Sequence, residues 1–184
     1  MITVISGTNR PNSRTKFIAK YCFETLVSKY ENVHWIDLAD IQNEIVTPGM
    51  YAEVTQNQII SRIQQEIIIP SKLLLIVSPE YNGSFPGVLK SFIDALSVKD
   101  HKGTFSGKLA ALLGTSTGRA GNLRGMEHLT GILNYLNVVV MPNKLPISSI
   151  QNFIDGDYQL AEILKETLDL YLNEVVEFLK INKH

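Results

Sequence analysis

The chain has 184 residues, 45% of them hydrophobic, which suffices to bury one substantial core and makes a single domain over residues 1–184 the economical expectation. Seventeen basic against eighteen acidic side chains leave a net charge of -1, so nothing draws the chain in bulk to nucleic acid or an anionic membrane, and the expected partner is a small molecule. A lone cysteine, Cys22, excludes an internal disulfide framework; with residues 1–6 reading as a strand, no signal peptide is expected, and the strongest apolar run, residues 73–77, is far shorter than the roughly 20 residues of a spanning helix, so the expected location is cytoplasmic.

Strand-like runs at residues 2–5, 33–37, 73–77, 109–114 and 138–141 alternate with helical patterns. After the first strand comes a polar loop, then a helix whose stripe is Ile18, Tyr21, Cys22 and Leu26. Residues 39–55, after the second strand, carry no readable motif and are where substrate contacts are expected to vary. The third strand leads through a Gly/Pro-rich loop to a stripe of Leu89, Phe92, Ile93 and Leu96, and the fourth leads to a loop spanning residues 115–121. A last helix carries Leu160, Ile163, Leu164, Leu168, Tyr171, Leu172, Val175, Phe178 and Leu179 on one continuous face. Strands rich in Leu, Ile and Val without alternation belong in a parallel sheet covered on both sides, so the expected fold is α/β, a three-layer sandwich around a five-stranded parallel sheet in the order 2-1-3-4-5. That winding puts a ligand crevice beyond the carboxyl ends of strands 1 and 3.

Two loops converge there. The first, Ser6-Gly7-Thr8-Asn9-Arg10-Pro11-Asn12-Ser13-Arg14-Thr15, brings hydroxyls, an arginine and backbone N–H groups to a helix N-terminus, a natural phosphate site. Thr8, Ser13 and Thr15 also suit plain turn and capping roles. Arg10 favours an anion, because a guanidinium at the positive end of a helix dipole costs about 0.3–1 kcal/mol without one. Arg14 is a reserve candidate in the first helical turn. The second loop packs Pro79, Gly83, Pro86 and Gly87 into nine residues and so fixes a backbone that can approach a flat ligand, although its Tyr81 and Asn82 are also ordinary turn residues. Together the loops suggest a flavin nucleotide. Neither G-x-G-x-x-G nor G-x-x-x-x-G-K-[ST] occurs, and Ser78-Pro79 stands where a phosphoacceptor domain ends its third strand in aspartate.

These motifs resemble those of the NADPH-dependent FMN reductase family, flavodoxin-like enzymes that include quinone, azo-dye and chromate reductases. The family's G-S-x-R-x-x-S-x-N phosphate loop corresponds to residues 7–15: Arg10 and Ser13 match, Thr8 replaces serine and keeps a hydroxyl, and Thr15 replaces asparagine. Its P-E-Y-N-G-S-x-P-G-x-L-K signature is complete from Pro79 to Lys90. The resemblance implies that Pro79, Glu80, Tyr81, Asn82, Gly83 and Ser84 hold the flavin ring, mainly through backbone donors, and that the following helix contributes to a dimer interface. Phe105-Ser106-Gly107-Lys108 and Ser116-Thr117-Gly118 are similar to the family's fourth strand and third flavin loop, with Ala120-Gly121 in place of paired glycines. The likeness runs from Ile2 to about Pro142.

The resemblance further implies a flavodoxin-like fold, FMN as cofactor, NADPH or NADH as electron donor, a small acceptor such as a quinone, azo compound, free flavin or metal oxyanion, and a homodimer or homotetramer. The rival reading is a flavodoxin-type electron carrier or a flavin-binding protein without turnover. No side chain need act as acid or nucleophile, since the flavin carries the hydride chemistry, and Glu80 serves equally to fix the turn or bridge subunits. His34, His101, His128 and His184 have no metal-ligand spacing with one another or with Cys22, so no metal is expected.

Overall fold

The computed structural model describes residues 1–51 and 56–182. Residues 52–55 of the motif-free segment and His184 therefore lie outside the described residues. In chain order the elements are β1 (Ile2–Ser6), α1 (Arg14–Val27), β2 (Val33–Asp37), α2 (Leu38–Ile45), α3 (Gln58–Ile63), β3 (Leu73–Pro79), α4 (Gly87–Ser97), α5 (His101–Phe105), β4 (Leu109–Thr115), α6 (Leu123–Tyr135), β5 (Val139–Val140), β6 (Leu145–Ile147) and α7 (Glu162–Ile181).

Among the described residues the named strands pair in parallel, in the order β2-β1-β3-β4-β5. β6 also pairs with β4, through Leu113–Thr115, while β5 pairs with Leu109 and Ala110. Since β3 lines the other edge of β4 along its whole length, β5 and β6 are two pieces of one fifth position. The expected strand at residues 138–141 is thus shorter than its apolar run, and the ladder resumes after a break. Pro142 lies in that break, and a proline has no N–H to continue the ladder. Opposite it, the buried Tyr171 hydroxyl donates to the Leu112 carbonyl at 2.8 Å, so a helix side chain supplies a donor where the edge strand is interrupted.

Both faces of the sheet are covered. Ile2, Val4, Leu73, Leu75, Val77, Ala111 and Leu113 pack against Ile18, Cys22 and Leu26 of α1 and Leu168, Leu172 and Val175 of α7. The alternate residues Ile5, Ile36, Leu74, Ile76, Ala110 and Leu112 meet Leu38 of α2, Ile60 of α3, Leu89 and Phe92 of α4, and Met126 and Leu129 of α6. Cys22 is buried against α7's side of the core, and burial pushes its thiol up to about 12, leaving it protonated and inert. The apolar face of α7 begins later than its periodicity predicts: Leu160 bridges to Ile154 before the helix starts, and Ile163 is 60% exposed. A short hairpin at residues 154–160 takes the place of that first turn. Among the described residues no helix is long and apolar enough to cross a membrane.

Candidate active site

Parallel strands joined by helices on either face point all their carboxyl ends the same way, and each following helix presents its N-terminus there. The loops after β1, β3 and β4 accordingly meet at one edge. Gly7 lets the first of them lie against β3: its N–H donates to the Val77 carbonyl at 2.8 Å, and a Cβ there would stand 3.0 Å from that oxygen and 3.1 Å from Leu89 Cδ2. Ser13 caps α1, its hydroxyl oxygen accepting from the Lys16 amide at 3.1 Å. The amides of Arg14 and Thr15, in the first turn, have no acceptor among the described residues, and neither do the guanidinium groups of Arg10 and Arg14. Lys16, by contrast, is committed: its ammonium lies 2.6 Å from the buried Asp37 carboxylate, whose hydrogen bond raises the lysine's pKa.

A cleft of about 350 Å³ opens over this helix end. Of the residues expected at the site, Arg10, Ser13, Thr15, Pro79, Glu80, Tyr81, Ser116 and Thr117 line it. Thr8 is fully buried behind it: its hydroxyl pairs with the Tyr81 hydroxyl at 2.6 Å and accepts from the Arg10 amide at 3.2 Å, tying the first loop to the second. Thr15 shares a 2.8 Å hydrogen bond with Thr115 at the end of β4. Asn82, Gly83, Ser84 and Gly118 stand outside the cleft lining, on the flanking loops.

The second loop folds back through Tyr81 and Ser84, which exchange amide-to-carbonyl bonds of 2.8 and 3.1 Å. Asn82 (φ 52°) and Gly83 (φ 77°) between them both adopt the left-handed region, the type I′ geometry that Asn-Gly favours. Their amides have no acceptor among the described residues, so the tip offers two donors. The Ser84 hydroxyl is engaged by His128 Nδ1 of α6 at 2.9 Å. In the third loop Ser116 Oγ donates to the Gly118 carbonyl and accepts from the Gly121 amide, both at 3.0 Å, while the amides of Thr117 and Gly118 have no acceptor among the described residues.

Three features escaped the motif reading. Asn122, fully buried and left-handed at φ 66°, precedes α6 and donates through Nδ2 to the Ser78 and Pro79 carbonyls, each at 3.0 Å, clamping the third loop to the end of β3. An asparagine directly before an apolar helical stripe was the available signal. Arg124, two residues on, sits over the second loop, its guanidinium 2.9 Å from where a Gly83 Cβ would lie. Asp155, Gly156 and Tyr158 of the 154–160 hairpin form the cleft's outer wall, and Asp155-Gly156, ahead of the expected last helix, is a legible turn signal. Among the described residues no group of three or more His, Cys, Asp or Glu side chains could hold a metal.

A profile of NADPH-dependent FMN reductases matches residues 1–152. The chain is 34% identical over 119 residues to a 2-hydroxy-1,4-benzoquinone reductase of Burkholderia sp., covering 64% of this chain and 63% of the relative. It is 41% identical over 99 residues to an NAD(P)H-dependent FMN reductase of Pseudomonas aeruginosa, covering 53% of each. The matches thus span less than two thirds of those relatives' lengths. In fold, the chain is similar to the flavoenzyme NAD(P)H:(acceptor) oxidoreductase FerB of Paracoccus denitrificans, with a TM-score of 0.78 and 21% identity over 98% of this chain and 97% of that one. With the profile covering most of the residues and all three loops, the chain belongs to the NADPH-dependent FMN reductase family.

Proposed function

We propose that this protein is an FMN-dependent oxidoreductase that takes electrons from NADPH or NADH and delivers them to a small acceptor, with a quinone as the first choice. The observation that carries the reading is the set of donors at the carboxyl edge of the sheet that have no partner among the described residues: first-turn amides of α1 with Arg10 and Arg14, the Asn82-Gly83 tip, and the amides of Thr117 and Gly118. Such a set suits a ligand that is anionic at one end and flat, with hydrogen-bonding edges, at the other. FMN has that form, so the residues fit it. When bound, FMN supplies the redox chemistry, hydride acceptance from a nicotinamide and electron delivery to the acceptor.

The protein's share is binding, orientation and electrostatics. Arg10, Arg14 and the α1 amides hold the phosphate, and Ser13, already accepting from Lys16, keeps its hydroxyl proton for a phosphate oxygen. Thr8 locks Tyr81, and with it the second loop, at a fixed distance from the phosphate loop. The open amides ahead of α6, together with that helix's positive end, stabilise negative charge gained by the ring on reduction. Glu80 only lines the wall. The quinone preference draws on the Burkholderia relative. A groove of about 370 Å³ between α4 and α6, beside the 85% exposed Tyr135, supports a homodimer joined through these helices, to be measured by sedimentation.

Anaerobic stopped-flow tests the reading. NADPH should bleach the bound flavin, and a benzoquinone should restore its colour, with parallel double-reciprocal lines because both substrates use one exposed face. Bound FMN that NADPH does not reduce, but that a separate reductase protein does, would assign the chain to the carriers instead.

A further inference from the structure

The hairpin at residues 154–160 lies beyond the family profile, which ends at residue 152, yet it walls the cleft over α1. Its Tyr158 ring stacks on Phe17 of α1, with centroids 4.3 Å apart and planes 15° from parallel. Phe17 is one turn past the Ser13 cap, its amide bonded to the Ser13 carbonyl, so the ring pair covers the outer flank of the helix end that holds the phosphate. We propose that this hairpin closes the cleft behind a single phosphate and makes Tyr158 the determinant that selects FMN over FAD. The inference rests on the flavin reading above and assigns a role to residues that reading leaves unused.

The wall is held in place. Asp155 Oδ1 accepts from the Asp157 and Gln159 amides at 3.0 and 2.7 Å. The Asp155 amide donates to the Gln159 carbonyl at 3.2 Å, and the Tyr158 amide to the Asp155 carbonyl at 3.1 Å. Ile154, which bridges to Leu160, is 2% exposed and anchors the hairpin in the core. This framework keeps Tyr158 at φ 60°, a backbone region that bulky residues rarely enter, and so fixes where its ring goes.

FAD has to carry a second phosphate and an adenosine onward from the position of the first, and both meet the wall. The ring occupies space there, and the Asp155 carboxylate, which lines the same cleft, repels the added negative charge. A phosphate monoester ends before either obstacle.

Calorimetric titration of the full chain with FMN, FAD and riboflavin tests this, using Tyr158→Gly, Tyr158→Phe and Asp155→Asn. Glycine enters the left-handed region freely, so Tyr158→Gly removes the ring without straining the hairpin, and Asp155→Asn removes the charge while keeping an acceptor for both amides. The wild type should prefer FMN to FAD. Tyr158→Gly should narrow that preference by about tenfold or more through tighter FAD binding, with FMN affinity changed by less than about threefold; Asp155→Asn should narrow it by about threefold, and Tyr158→Phe should preserve it. A wild type that binds FAD as tightly as FMN, or an unchanged preference in both Tyr158→Gly and Asp155→Asn, overturns the proposal while leaving the flavin site standing. A wild type that binds none of the three flavins removes the site itself, and the proposal with it.

Discussion

The two ends of the sheet hold clefts of opposite character. At the carboxyl end lies the cleft of about 350 Å³, with helix N-termini and unpaired amides around it. At the amino end lies a larger cavity, about 690 Å³, bordered by Lys29, Tyr30, Lys72, Leu109, Leu179 and Lys180. The helices run antiparallel to the strands, so α1 and α7 end beside this second cavity and turn their negative poles toward it. Its lysines answer those poles. Lys180 pairs with Glu177 at 2.6 Å, and the nearby Lys108 gives its ammonium to the Ile69 and Ser71 carbonyls at 2.7 and 2.8 Å. Volume alone favours the amino end, but Lys180 and the neighbouring Lys108 already have partners in the fold. The smaller cleft keeps donors that the fold does not use, and those are what recognise a ligand.

The largest effect is expected where the carboxyl edge is clamped together. Asn122→Ala leaves the buried Ser78 and Pro79 carbonyls without their donor and puts alanine at a left-handed φ, so stability should fall by about 2–4 kcal/mol, a Tm loss of about 4–16 °C. Calorimetric melting of the variant measures it, and a loss under about 1 kcal/mol would show the loop held by other contacts.

Arg10→Ala comes next. It deletes a charge-assisted contact worth about 1.5–3 kcal/mol, so FMN should bind about 10- to 150-fold more weakly while the melting temperature stays close to wild type. Lys72→Ala, at the opposite end, sharpens the contrast: FMN affinity should stay within about twofold. Equal losses in the two variants would erase the distinction between the ends.

Thr8→Val separates support from contact. It strands the Tyr81 hydroxyl and should cost about 1 kcal/mol, as should Tyr81→Phe, whereas the double variant should lose little more than either alone, a coupling that a double-mutant cycle in denaturant reads directly. Strict additivity would mean the two loops are not joined through this bond.

The last expected effect belongs to the amino end and shows only as pH changes. Burial, with Lys72 nearby, lowers Lys108 from 10.5 to about 8. Between those values the unfolded chain holds a proton that the native chain has released, so this group raises stability as pH climbs from about 8 toward 10.5. Lys108→Met lacks that contribution. Wild type should gain on the variant between pH 7.5 and 9.5 in urea titrations, and parallel pH profiles would place the titration elsewhere.

Much of this was legible beforehand because the signals are local. A Leu/Ile/Val run bounded by Gly, Pro and hydroxyl residues fixes a buried strand, and the unbroken run from Pro79 to Lys90 fixes the turn at Asn82-Gly83 through the φ values those two residues tolerate. Arg10 and Ser13 were placed by the same logic, since the start of a helix defines where an anion is welcome. The miss at residues 160–163 has an equally physical cause. Apolar periodicity reports which residues prefer burial but not which element buries them, and Leu160 is satisfied by the Ile154 bridge as well as by a helix face.

The sequence by itself determined the alternation of strands and helices, the winding that brings three loops to one edge, and the phosphate and ring motifs within them, because each depends on residues within a few positions of one another. Only the tertiary structure decided that Tyr171 supplies a donor opposite the break in the fifth strand, that Thr8 reaches Tyr81, that Asn122 clamps β3, and that Tyr158 lies on Phe17 to close the cleft. These partners stand dozens of residues apart or more. Which of many polar and aromatic side chains meet is set by how the helices pack on the sheet, and no local pattern encodes that.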